Sequence, residues 1–195
     1  MSSNAPPPPP LPPPINRQHA TLSEVLPPVV NPQGPPGALL LELIIYNGSP
    51  FKDHWAYRVV SARDPDIGVV IHATGDVANG FKFEIKRHHD MKHSSREPTR
   101  IPLQWVPAEF LDEKAMFNDG VPKMDTNPVC PLEHSLYKVK PPGKSLNVAN
   151  DNAGPPGRRI VQRNCQTWII ESADGLVNDK ILSQEVADYL RAIEQ

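Results

Sequence analysis

Two residue types in this chain combine into a recognisable chemistry, a cysteine placed to ionise and histidines able to take its proton. Cys165 lies in Arg163-Asn164-Cys165-Gln166-Thr167-Trp168. Asn164 is a good N-cap, so Cys165 opens a helix. Free N–H groups and the helix dipole at that first turn favour a thiolate and lower the thiol pKa. The same N–H groups can hold an oxyanion. Asn164 and Gln166 are the side chains expected to orient such a site or to face that oxyanion, and Arg163 adds a nearby positive charge.

A nucleophilic cysteine needs a base within hydrogen-bond reach. His54 is the best candidate: it starts a strand on the face opposite Trp55, and is expected to project towards a packed helix. His72, late in the next strand, is expected to orient His54 or to bond the substrate, the part a third group plays beside a dyad. The plain alternative is that Cys165 is a small core residue and the histidines are structural. The residues alone leave both readings open.

The elements that must position these groups follow from periodicity. Leu39 to Tyr46 reads as a strand buried on both faces, and Asn47-Gly48-Ser49-Pro50 as a turn. His54 to Ser61 and Val69 to Ala73 read as the second and third strands. Phe81, Phe83 and Ile85 alternate with Lys82, Glu84 and Lys86, a strand with one wet face. Ile101, Leu103 and Trp105 suggest one more strand, and Pro107 to Met116 a short helix. Residues 118–157, rich in Pro, Gly and Asn, read as a long irregular loop. Helices are expected from Cys165 towards Val177 and after a Ser183 cap. Strands followed by helices give an α+β class, an antiparallel sheet packed against C-terminal helices.

The chain has 195 residues, enough for one domain with extensions. Thirteen of its 25 prolines precede Gly37, so residues 1–36 read as a disordered proline-rich tail and residues 37–195 as a single domain. A net charge of −2 offers no broad footprint for nucleic acid or anionic membranes. No apolar run is long enough to span a bilayer, and the N-terminus lacks a signal-peptide pattern. An intracellular, cytoplasmic setting with two reduced cysteines, Cys130 and Cys165, is therefore expected.

The order His54-Trp55-Ala56 on one strand, Val69-Val70-Ile71-His72 on the next and Asn164-Cys165 on a late helix resembles the circularly permuted papain-like thiol fold of the lecithin retinol acyltransferase-like and PPPDE-type enzymes. The stretches DHWAYRV, GVVIHATGDVANGF and RNCQTWI also resemble a group of uncharacterised fungal proteins. The likeness covers roughly residues 39–180. It implies Cys165 as nucleophile, His54 as base and His72 as third polar residue. Thr167 and Trp168 stand where the thiol families usually carry His and Phe, and the spacing from His54 to His72 is longer than in the acyltransferases. The implied activity is hydrolysis or acyl transfer at an amide, ester or isopeptide carbonyl, with no cofactor.

Other signals point away from metals and phosphates. His88, His89 and His93 cluster, but Lys86, Arg87, Lys92 and Arg96 among them would repel a metal ion, so a solvated basic loop with no metal is expected. Gly75 to Gly80 lacks the ending of a phosphate loop. Cys130, between prolines, reads as an unactivated loop thiol. Pro6 to Pro14 offers PxxP units for SH3, WW or profilin-type domains. The alternative function is thus a non-catalytic interaction protein with this tail as ligand.

Overall fold

The computed structural model of the protein describes residues 25–94, 97–144 and 163–195. Six strands form one antiparallel sheet: β1 (Leu39–Tyr46), β2 (His54–Val60), β3 (Ile67–Asp76), β4 (Gly80–Asp90), β5 (Thr99–Val106) and β6 (Lys123–Asp125), in the order β5-β1-β2-β3-β4-β6. Among the described residues four α-helices accompany them: α1 (Glu113–Met116), α2 (Pro131–Lys138), α3 (Cys165–Asn178) and α4 (Gln184–Ala192). The α+β class expected from the sequence is the class observed.

Alternation along the strands gives the sheet two unlike faces. Leu41 and Leu43 of β1, Trp55, Tyr57 and Val59 of β2, and Ile71 and Ala73 of β3 share one core with Leu132 of α2, Trp168 and Leu176 of α3 and Leu190 of α4. The fully buried Trp168 anchors it, meeting Tyr57 and Phe83 edge-on and donating its indole N–H to the Val139 carbonyl at 2.9 Å. Tyr57 Oη donates to the Ile169 carbonyl at 2.9 Å, tying β2 to the middle of α3.

The second face carries a small apolar cluster of Ile44, Ala56 and Val70 among charged and polar groups. The fully buried Arg58 donates to Glu42 at 2.8 Å there. No helix among the described residues packs on this face. β4 ends at Asp90 beside Ile67, while β5 starts at Thr99 beside Ile45, at the far corner of the sheet. Ser94, beyond the end of β4, hydrogen-bonds the Tyr46 hydroxyl on the second face.

Two expectations need correction. Residues 118–157 are not one irregular loop: β6 and α2 lie within them, while 145–157 fall outside the described residues. Pro131 takes the first helical position of α2, behind Cys130 as N-cap. The organiser is buried Arg87 of β4, whose guanidinium donates to Asp125 at 2.9 Å, to both oxygens of Glu133 at 3.0 Å and to the carbonyls of Met116 and Asn127. Although burial opposes it, the Arg87 bond, with the Asn127 and Thr126 N–H groups and Lys123, holds the Asp125 carboxyl far below the usual range. The tail boundary also shifts. Residues 25–36 lie against β5, where Trp105 donates its indole N–H to the Asn31 carbonyl and Gly34 sits flat on the indole. Pro6 to Pro14 fall outside the described residues.

Arg87→Ala strands the fully buried Glu133 carboxylate. It is expected to cost about 3–5 kcal/mol, read as a lower urea midpoint. Arg87→Met combined with Glu133→Leu should recover most of that loss, because the pair's net contribution is small once both desolvation costs are removed.

Candidate functional site

β2 and β3 are paired only from Tyr57 opposite Ile71 to Val60 opposite Gly68. Beyond Ile71, β3 continues beside β4 to Asp76, while β2 begins back at His54, paired only with Tyr46 of β1. The two strands therefore diverge, leaving an opening at one end of the sheet. The capped end of α3 meets that opening from the helical face. Cys165 Sγ lies 3.8 Å from the Asp53 carbonyl oxygen, to which the thiol donates, and the Trp55 N–H points at the sulfur. Those two backbone groups sit on the same edge of β2. The thiol thus takes the ladder position that β3 leaves empty.

The histidines close the opening from the second face. His54 Nε2 and His72 Nδ1 are 2.8 Å apart, and His72 Nε2 is 3.0 Å from Glu84 Oε1. Glu84 stands opposite His72 in the β3–β4 ladder, so register alone makes this contact. The chain of bonds fixes the tautomers. The Glu84 carboxylate only accepts, so His72 carries its proton on Nε2 and presents a bare Nδ1. His54 then donates from Nε2, and its Nδ1 is left with a free lone pair.

Burial, reinforced by the His72 and Lys86 charges and opposed by Glu84, pushes His54 down to about 4; burial, with Lys86 and His89, does the same for His72. Both imidazoles are neutral at pH 7. Burial raises the Cys165 thiol, against the opposing effect of the Trp55, Gln166 and Cys165 N–H groups and the Lys52 charge. The resting pair is therefore thiol and imidazole, not thiolate and imidazolium. This corrects the expectation that the helix terminus lowers the thiol pKa: desolvation outweighs the dipole here.

The structure brings His54 and His72 together and lays Cys165 against the same strand, but no hydrogen bond joins the sulfur to either ring. His54 does not project towards α3 as expected, because the helices cover the Trp55 face. The expected oxyanion residues are committed elsewhere. Asn164 Oδ1 accepts from the N–H of Gln166 at 2.8 Å and of Thr167 at 3.3 Å, in a capping box that Thr167 completes. Gln166 is fully buried, donates to the Asp53 carbonyl at 3.0 Å and accepts the Gln195 N–H at 3.0 Å. Gln195 in turn accepts from the Asp53 N–H and donates to the Asp53 carboxylate. These bonds hold the thiol's turn against the start of β2. Arg163 pairs with Glu171.

Glu84 and Gln195 are the residues that sequence reasoning missed. Glu84 was visible as part of the wet face of β4; nothing local marks Gln195. The basic cluster expected in a loop belongs partly to β4, with His88 and His89 in the strand and His93 paired to Asp90 at 2.7 Å. No group of three or more metal-ligating side chains is found among the described residues. Cys130 is buried and its thiol is pushed up to about 11 by that burial. No helix among the described residues is long and apolar enough to cross a membrane.

Compared with known proteins, residues 41–183 match the model of a family of unknown function (DUF6540). No curated protein and no solved structure matches the chain.

The depressed histidines tie stability to pH. Between about pH 6.5 and about 4 the unfolded chain binds protons at His54 and His72 that the folded protein refuses, so stability falls as pH drops through that window. The expected slope is about 1.4 kcal/mol per pH unit for each histidine excluded from protonation. Urea unfolding at pH 7, 6, 5 and 4 checks it, and His72→Gln should flatten the slope.

Proposed function

We propose that this chain, which belongs to the DUF6540 family, is a thiol enzyme of acyl transfer, attacking the carbonyl of an ester, amide or isopeptide through Cys165 with His54 as base. The observation that carries this reading is the Glu84–His72–His54 chain of hydrogen bonds together with a thiol lodged against the backbone on either side of His54. A relay that fixes a tautomer and directs a free lone pair is what a general base requires.

In the proposed reaction His54 Nδ1 takes the thiol proton as Cys165 Sγ forms a bond to the carbonyl carbon. The carbonyl π electrons move to oxygen, where the Trp55 and Cys165 N–H groups, which already point at the sulfur, are the nearest donors. The tetrahedral intermediate collapses, the bond to the leaving alcohol or amine breaks, and His54 returns the proton to it. Water or a second nucleophile, deprotonated by His54, then cleaves the thioester and regenerates the thiol. His72 is a positioning residue, holding the His54 tautomer and passing on the pull of Glu84.

A second reading has its own support. The thiol is buried, raised in pKa and bonded to a carbonyl, as an idle core cysteine would be. On that reading the protein is a non-catalytic interaction protein whose Pro6 to Pro14 segment serves SH3, WW or profilin-type domains.

Acylation by p-nitrophenyl esters decides between them, with Cys130→Ser as background. The enzyme reading expects a burst of nitrophenol and one acyl group on Cys165, absent in Cys165→Ala and slowed at least about 100-fold in His54→Ala. An unacylated Cys165 in the folded protein, or equal hydrolysis by Cys165→Ala, overturns it. Where acylation occurs, kcat/KM should hold from pH 9 down to 5 and fall below about 4, as His54 takes up a proton.

A further inference from the structure

Residues 47–53 join β1 to β2, and none of them is buried. Phe51 is 83% exposed, so no apolar side chain anchors the loop in the core. Its own hydrogen bonds make it compact. The Gly48 N–H donates to Asp53 Oδ1 at 2.9 Å, the Phe51 N–H to the Gly48 carbonyl at 2.7 Å and the Ser49 N–H to Asn47 Oδ1 at 2.8 Å. A Cβ on Gly48 would lie 2.1 Å from the Lys52 carbonyl oxygen, so the two ends of the loop close tightly on each other. A loop bonded to itself and unburied is a unit that opens locally at low cost.

The groups that hold this unit down are polar and few. Among the described residues only Cys165, Gln166 and Gln195 bond the loop from outside. The thiol contact with the Asp53 carbonyl is long and weak. Gln166 is fully buried in the first turn of α3 and holds the same carbonyl from a fixed position. Gln195, two residues past the C-cap of α4, is exposed and makes the remaining bonds. Its Oε1 accepts the Asp53 N–H at 3.0 Å, its Nε2 donates to Asp53 Oδ2 at 2.9 Å and its main-chain oxygen accepts from Lys52 Nζ. Exposed hydrogen bonds of this kind trade readily with water. Asp53 is also the residue whose carbonyl lies on Cys165 Sγ, so the bonds that fix Asp53 fix the cover of the thiol.

We propose that the 47–53 loop is a lid over Cys165 and that Gln195 is its latch. The lid lifts as a unit when the Gln195 bonds pass to water, and it reseats when they re-form. As regulation of the proposed enzyme this rests on the thiol-enzyme reading; as a statement about access to a buried sulfur it does not. A lid reconciles a buried thiol with a reaction in which the sulfur must touch a carbonyl.

Alkylation of Cys165 by iodoacetamide in the full-length chain, with Cys130→Ser as background, reads the fraction of time the lid is open. Gln195→Ala removes both side-chain bonds to Asp53 and should speed alkylation about tenfold. Gln195→Glu keeps the shape but sets a carboxylate against the Asp53 carboxylate, and should speed it at least as much. Adding Asp53→Asn to Gln195→Glu should return the rate towards the native one, because the new amide then donates to the new carboxylate. Amide exchange at Asp53 should quicken together with alkylation, while the Phe51 N–H, bonded inside the lid, stays protected. Native alkylation rates in both single variants, a double variant as fast as Gln195→Glu, or an acceleration that merely follows a lowered urea midpoint overturns the latch. Faster alkylation in the latch variants with no acylation of any variant by p-nitrophenyl esters supports the lid and overturns the thiol-enzyme reading alone.

Discussion

The 2.8 Å contact between the imidazoles of His54 and His72 spans the place where β2 and β3 part. Strands that diverge expose backbone donors and acceptors, and such groups must find partners or water. Here one side of the opening is closed by ring nitrogens and the other by a thiol lodged against the Asp53 carbonyl and the Trp55 N–H. Side chains take over from the ladder. A conventional β2–β3 ladder continued to His54 would exclude the sulfur from this edge. The opening is thus the constraint from which the site's geometry follows.

That opening is held by bonds remote in sequence. Gln166, on the first turn of α3, and Gln195, after α4, both engage Asp53 at the start of β2. The three residues form a closed set of side-chain and backbone hydrogen bonds, those of Gln166 partly buried and so stronger than in water, those between Gln195 and Asp53 exposed. The Asn164 capping box then fixes the helix terminus that carries the thiol. Second-face groups show the same economy in another form: each histidine nitrogen in the relay has one role dictated by its neighbour, and Glu84 sets the order.

Much of the framework was legible in local pattern. Leu39 to Tyr46, the alternation through Phe83 and Ile85, the Asn164 cap and the Ser183 cap all stand where periodicity and capping chemistry put them. What the pattern left undecided was which face of β2 the helices would cover. Alternation separates His54, Ala56 and Arg58 from Trp55, Tyr57 and Val59, but it does not say which set meets α3. The larger apolar volume of the second set decides it, and with it the side on which His54 lies. Glu84 was unreadable as a partner because its meeting with His72 depends on register between strands. The eight-residue α2 was hidden by its setting among Pro and Asn, although Pro131 at the first helical position and Leu132 with Leu136 one turn apart were local signals for it.

For the proposed thiol chemistry, the electrostatics of the site favour activation by a substrate over a standing thiolate. Desolvation raises the thiol and lowers the imidazole, so it widens the gap between donor and acceptor and makes proton transfer uphill at rest. A permanently ionised thiol would need either more water or a stronger field than this opening provides. In the proposed reaction, charge would form only as the carbonyl is attacked, spread onto an oxygen near the Trp55 and Cys165 N–H groups, with a neutral imidazole to take the proton. The Asp53 carbonyl, which accepts the thiol proton at 3.8 Å, is a weak competitor for it. A neutral, buried pair with its tautomer set by Glu84 is consistent with a thiol that is inert until a carbonyl occupies the opening beside it.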